Sequence, residues 1–210
     1  MIGLLGGTFD PVHNGHVDLA TQVQQAFALE RVEFLPCFQP VHREGPAVAS
    51  QQRARMVELA IEHISGFRLN STELDRAGPS YAIDTLRTLK QQHPGQTVCW
   101  LIGSDAFNSF ELWKDPQGIL QLANLVVCSR PGSPVDRKIF ARHHLVPGDA
   151  LDHYPSGRIA FYTMQPNTCS STAVRERLLA GDAVDDCLHP AVIDFIRNNQ
   201  LYVSRYVEHQ

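Results

Sequence analysis

Residues 1–16, MIGLLGGTFDPVHNGH, pass from a short apolar run through two adjacent glycines to two histidines three residues apart, His13 and His16. The run is too uniformly apolar to have a wet face, so it reads as a strand buried on both sides. After it, His16 to Leu29 carries Val17, Ala20, Val23 and Phe27 at spacings of three and four, the period of a helix with one apolar face. A strand, a glycine turn and a helix in that order open a parallel strand–helix–strand unit, and this decides the fold class.

The same alternation continues down the chain. IGLL (2–5), VEFL (32–35), FRLN (67–70), TVCWLIG (97–103), NLVVCS (124–129) and RIAFY (158–162) read as strands. Between them, Ser50 reads as the cap of a helix with Ala54, Val57, Ala60, Ile61 and Ile64 in one stripe. Ser80 precedes a helix over 81–92 that His93-Pro94-Gly95 ends. Strands separated by helices of this length imply right-handed crossovers. The expectation is an α/β fold: a Rossmann-like, doubly wound, mostly parallel sheet with helices on both faces. A helical C-terminal part follows, with 171–180 closed by Gly181 and 190–199 opened by Pro190. By composition, 39–49 and 131–157 read as loops.

At 210 residues the chain reads as a single domain, 1–210. A 43% hydrophobic, 19% charged composition with net charge -4 is that of an ordinary globular protein, and it argues against a binder of nucleic acid acting through overall positive charge. Five widely spaced cysteines without a CxxC pair or zinc spacing read as free thiols of a reducing compartment. No basic leader precedes the first apolar run and no stretch approaches the roughly 20 apolar residues of a membrane span. A soluble cytoplasmic protein with no membrane partner is expected. Monomer and homo-oligomer are both compatible with this pattern.

In doubly wound sheets, ligands bind beyond the carboxyl ends of the strands where the strand order reverses, commonly between the first and fourth. Here those strands run into GGTFDPVHNGH and Gly103-Ser104-Asp105, so both turns face one crevice. Neither GxGxxG nor GxxxxGK[ST] is present. Gly6-Gly7 nevertheless allows close backbone approach, and the helix beginning near Gly15 aims N–H groups at the same space. Ser171 and Thr172 can act similarly at a second helix start, where Arg175 offers a planar fork to phosphate oxygens.

His13 and His16 are either a structural or surface pair or two donors to the oxygens of a phosphoryl group under attack; metal binding is a third reading, without a third ligand nearby. Phosphoryl and nucleotidyl transfer need positioning and charge stabilisation more than a nucleophile. Asp105 reads as a ribose or magnesium ligand or as a helix cap, and Trp113 as a base-stacking ring or core. His42 and Arg43 read as phosphate contacts or solvated surface. Cys99 and Cys128 read as core; His143-His144 and Asp185-Asp186 read as surface.

GGTFDPVHNGH resembles the HxGH signature of the nucleotidyltransferase superfamily, and Ser170-Ser171-Thr172-Ala173-Val174-Arg175 resembles its second signature, SSTxxR. Over essentially its whole length the chain is similar to the bacterial nicotinate-nucleotide adenylyltransferases, through PCFQPVHR (36–43), RARM (53–56), ELDRAGPSYAIDTL (73–86), GSDAFNSFELW (103–113), SRPG (129–132) and LHPAVIDFIRNNQLY (188–202).

The resemblance implies that ATP and nicotinate mononucleotide are joined to deamido-NAD and pyrophosphate, by direct in-line attack of the mononucleotide phosphate on the α-phosphorus. It implies that His16 steadies the α-phosphate and His13 orients the phosphates; that Gly7 and Thr8 line the phosphate path, Gly103 and Asp105 the ribose; and that Ser171, Thr172 and Arg175 hold the triphosphate. For the mononucleotide it implies His42, Arg43, Thr85, Trp113 and Arg130, and with ATP it implies Mg²⁺ held by phosphate oxygens and water. Two departures stand out: Pro40-Val41-His42-Arg43 replaces the usual two prolines before His-Lys, and Cys169 replaces the usual isoleucine before the serines. Nicotinamide mononucleotide as acceptor, and a nucleotide-binding regulatory module without turnover, are the alternatives carried beside this reading.

Overall fold

The computed structural model describes residues 1–41, 45–130, 132, 135 and 148–203. In chain order the elements are β1 (Ile2–Gly7), α1 (Asn14–Ala26), β2 (Arg31–Pro36), α2 (Ser50–Ile61), β3 (Phe67–Leu69), α3 (Thr72–Arg76), α4 (Ala82–Gln92), β4 (Val98–Gly103), α5 (Ser104–Asn108), α6 (Pro116–Leu122), β5 (Asn124–Ser129), β6 (Ile159–Thr163), α7 (Ser171–Ala180) and α8 (Pro190–Asn198). The strands form one 6-stranded sheet in the order β3-β2-β1-β4-β5-β6. Every neighbouring pair is parallel. The reversal of strand order falls between β1 and β4, as the sequence implies.

Alternate residues of each strand feed two cores. Leu5, Leu101, Val126 and Ala160 pack on one face with Val23 of α1, Val57 of α2 and Ile193 of α8. Leu4, Ile102, Leu125, Val127 and Ile159 pack on the other with Leu86 of α4, Phe107 of α5 and Ile119 of α6. Consecutive Leu125, Val126 and Val127 are all fully buried, which is why β5 reads as an unbroken apolar run. Each such side chain contributes about 1.5–3 kcal/mol relative to exposure. No helix among the described residues is long and apolar enough to cross a membrane.

Several local expectations shift. Helix α1 starts at Asn14 rather than His16, because His13 takes the extended N-cap conformation. Ser50 is the first residue of α2, behind Ala49 at the cap, and its hydroxyl bonds Gln51 Oε1. Tyr81 rather than Ser80 caps α4; Ser80 Oγ instead accepts the Phe38 N–H at 2.9 Å, tying the end of β2 to that helix. At α7 the expected boundaries hold, with Ser170 accepting from Ala173 N–H and Gly181 closing the helix at φ 80°. His143 and His144 lie outside the described residues.

The cysteine reading is corrected. Cys169 and Cys187 form a disulfide with Cα atoms 5.5 Å apart, while Cys37, Cys99 and Cys128 are buried free thiols. Burial pushes Cys99 and Cys128 up to about 12, the behaviour of inert core residues. The bonded pair meets because α7 and the segment before α8 fold together, a tertiary event that their spacing does not announce.

Candidate active site at the carboxyl ends of β1 and β4

The β1–β4 ladder pairs Ile2 with Val98 and ends at Leu5 with Leu101. Beyond that point β1 continues through Gly6-Gly7 and β4 through Ile102-Gly103, and the chains diverge into α1 and α5. The first signature leaves the end of β1, and the second docks on it through Ser171 and Arg175. The glycines have a packing reason as well: a Cβ on Gly7 would stand 2.9 Å from the Phe9 ring, and one on Gly6 would stand 3.3 Å from Trp100. Phe9 itself has φ 51°, a left-handed conformation that costs a non-glycine residue roughly 1–2 kcal/mol and persists only where its surroundings hold it.

The histidine rings lie 3.8 Å apart, tilted by 31°. Gly15 makes this possible, because a Cβ there would sit 3.0 Å from His13 Nδ1. His16 Nδ1 accepts the backbone N–H of His13 at 3.2 Å. Nδ1 is therefore the unprotonated nitrogen of a neutral ring, and the proton resides on Nε2. The Phe9 ring meets His16 edge-on at 5.0 Å and fixes its plane. Burial, reinforced by the Arg130 charge, lowers His13 to about 4. Burial and then His13 and Arg130 hold His16 well below the usual imidazole range. Both rings are neutral near pH 7, and His13 Nδ1 is buried without a hydrogen-bond partner among the described residues. Such an atom costs about 1–3 kcal/mol until something satisfies it.

Helix α7 docks its first turn on the same loop. Ser171 Oγ donates to Pro11 O at 2.9 Å, Arg175 Nη1 donates to Asp10 O at 2.7 Å, and Arg175 Nη2 reaches Thr172 Oγ1 at 3.4 Å. Arg175 thus lies back toward the helix start with further N–H groups to spare. Thr172 is exposed.

The other sequence candidates distribute unevenly. Gly103 is exposed and caps α5, with open space where its Cβ would be; Asp105 is exposed in the first turn of that helix, so it is not the cap. Thr8 is half-buried beside Gly7. Arg130 is exposed, and its charge reaches both histidines. Trp113 is half-buried, 5.4 Å from the Phe110 ring, packed at the margin of the second core. Thr85 has no exposed surface: its hydroxyl donates to Glu73 Oε1 at 2.8 Å and accepts from Arg76 Nη1 at 3.2 Å. It does not open on the crevice in this conformation. His42 and Arg43 lie outside the described residues.

Two residues escaped the sequence reading. Asp10 is buried and takes Tyr202 Oη on Oδ1 at 2.7 Å and Ala47 N–H on Oδ2 at 2.8 Å. It gathers the first signature, the segment before α2 and the C-terminal segment. Arg53 is fully buried on the inward face of α2. Its place four residues before Val57, in the apolar stripe, is a signal the sequence does carry.

A cytidylyltransferase-like family model matches residues 4–177, a span that contains His13, His16, Ser171, Thr172 and Arg175. The chain is 43% identical over 207 residues to the "probable nicotinate-nucleotide adenylyltransferase" of Hydrogenovibrio crunogenus, covering 96% of this chain and 97% of that one. The chain belongs to the nicotinate-nucleotide adenylyltransferase family. Another member of the family, from Methylococcus capsulatus, is 36% identical, covering 97% of this chain and 100% of its own. A solved Plasmodium falciparum nicotinic acid mononucleotide adenylyltransferase, complexed with NaAD, shares the fold at a TM-score of 0.75. It has 19% identity and covers 96% of each chain.

Proposed function

We propose that this chain transfers the adenylyl group of ATP to the phosphate of nicotinate mononucleotide, giving nicotinate adenine dinucleotide and pyrophosphate. The observation that carries the reading is the pair of neutral imidazoles, 3.8 Å apart at the end of β1, with the Ser171–Arg175 turn docked on the same loop. Family membership supplies the substrates, since the relatives' names carry the acid form of the acceptor.

An oxygen of the mononucleotide phosphate attacks the α-phosphorus in line as the bond to pyrophosphate breaks. Charge builds on the equatorial oxygens and on the leaving group. His16 Nε2–H is the preorganised donor to an equatorial oxygen, and a neutral donor needs no proton transfer. His13, its ring against His16, orients the phosphates and gains a partner for its unsatisfied nitrogen. Arg175 and the α7 start receive the β- and γ-phosphates, with Thr172 beside them. Gly7 and Thr8 line the phosphate path, Gly103 and Asp105 hold the ribose, Trp113 serves the pyridine ring, and Arg130 adds positive charge near the reacting phosphates. Mg²⁺ accompanying ATP would neutralise phosphate charge. Phosphate oxygens and water would supply its ligands, and among the described residues no three His, Cys, Asp or Glu side chains converge as a cage.

Pyrophosphate release from ATP, measured with and without nicotinate mononucleotide, tests the reading. Release is expected only when both are present; none in either case overturns it.

A further inference from the structure

Among the described residues Arg53 is the bulkiest fully buried side chain, and no ion pair involves it. A buried charge without a counter-ion is costly, and natural chains retain one only where something compensates it. Here the compensation is a set of backbone carbonyls. Nε donates to Val48 O at 3.1 Å, Nη1 to Thr8 O at 2.5 Å, and Nη2 to Cys37 O at 2.7 Å and Phe38 O at 3.3 Å. Carbonyl dipoles satisfy the hydrogen bonds but leave the net charge of +1 in place.

Those acceptors are not scattered. Thr8 belongs to the glycine turn after β1, Cys37 and Phe38 follow β2, and Val48 precedes α2. One guanidinium therefore ties three segments together directly beneath the first signature. It also sets the direction of a peptide group. With Thr8 O held on Arg53, the N–H of Phe9, in the same trans peptide, points away from the guanidinium. With Gly7 O accepting the Cys37 N–H at 3.0 Å, the N–H of Thr8 likewise points away from β2. The same grip holds Phe9 in its left-handed conformation, and the Phe9 ring positions His16.

We propose that Arg53 is a positioning residue for the triphosphate. It sets the Thr8 and Phe9 N–H groups toward the phosphates and supplies a permanent buried positive charge behind them, without touching the substrate itself. The proposal rests on the adenylyl-transfer reading above: no carboxylate lies within ion-pair distance of Arg53 among the described residues, and on that reading the substrate phosphates supply further negative charge. A guanidinium suits the place because it stays charged in an apolar setting, whereas a buried ammonium sheds its proton readily.

The test uses the full chain, R53M and R53K, with folding checked by circular dichroism and binding followed by calorimetry for ATP, inorganic pyrophosphate and adenosine. For R53M, ATP and pyrophosphate are expected to weaken at least about 10-fold, in line with losing a charge-assisted interaction, and adenosine by less than about twofold. Equal weakening of all three, or an unchanged folded variant, overturns the proposal. R53K covers the case in which R53M does not fold. A buried lysine titrates below its ordinary range, so pyrophosphate affinity relative to the native chain should fall as pH rises from 6 to 9.

The titratable and charged groups around this position are the Cys37 thiol, the Tyr202 hydroxyl, the buried carboxylates of Asp10 and Glu73, and Arg175. Burial pushes the Cys37 thiol and the Tyr202 hydroxyl upward from ordinary values that already lie at or above the top of that window. A pH-independent ratio for R53K overturns the proposal. The native chain separates the two claims: if it binds no ATP, the functional reading fails, and if it binds ATP but the variants match it, only the role of Arg53 fails.

Discussion

His16 Nδ1 accepts the His13 backbone N–H at 3.2 Å, and this bond decides which nitrogen of His16 carries a proton. The donor left over is Nε2–H, aimed from a ring held by Phe9 and His13. His16→Ala should lower kcat roughly 10²- to 10³-fold, the usual loss for one preorganised transition-state donor, with the circular dichroism spectrum unchanged. A folded variant with near-native turnover would remove His16 from the mechanism.

His13 makes stability sensitive to acid. Its folded value of about 4 lies below the unfolded value of 6.5, so the unfolded chain binds more protons between these limits. Stability is unaffected above pH 6.5 and falls as pH drops toward 4, by on the order of 3 kcal/mol from this residue. His13→Gln should flatten that part of the curve in urea unfolding at a series of pH values. An unchanged slope would mean that His13 titrates normally.

Arg175 joins the second signature to the Asp10 carbonyl. Arg175→Ala removes this tie and the fork proposed to bind phosphate, and KM for ATP should rise roughly 10- to 100-fold, as expected for charge-assisted bonds of about 1.5–3 kcal/mol. KM for the mononucleotide should move much less. Steady-state kinetics with each substrate varied in turn will show whether the two effects separate.

The acceptor preference can be read with the acid and the amide mononucleotides in one assay. A site built to bind a carboxylate leaves its donors poorly paired against an amide, so kcat/KM is expected to favour the acid by at least about 10-fold. Equal specificity constants would assign dual use.

The Cys169–Cys187 bond closes a separation of 18 residues, for which the chain-entropy account gives about 3 kcal/mol of stabilisation. Reduction should lower Tm. Alkylation in denaturant without reductant should label the three free cysteines and spare this pair. Labelling of all five would show that the bond is absent.

The sheet was legible because its signals are local. β5 could be read from NLVVCS alone, since a strand covered on both faces has no polar period, and the end of α7 could be read from Gly181, which acts within one turn. Errors gathered where a side chain was recruited from elsewhere. Ser80 has the chemistry of a cap but bonds Phe38, and Cys169 and Cys187, read as free thiols, meet across the fold.

By itself the sequence determined the alternation of strands and helices, the switch point between β1 and β4, and the residue types of both signatures, because periodicity and short motifs are written in neighbouring positions. Only the tertiary structure decided what those residues are. Burial makes the histidines neutral, the His13 N–H selects the His16 tautomer, and Pro11 and Asp10 seat Ser171 and Arg175. Arg53 shows the difference most plainly. In the sequence it is one arginine in an apolar stripe; in the fold, four carbonyls from three segments converge on it, and long-range convergence of this kind leaves no period to read.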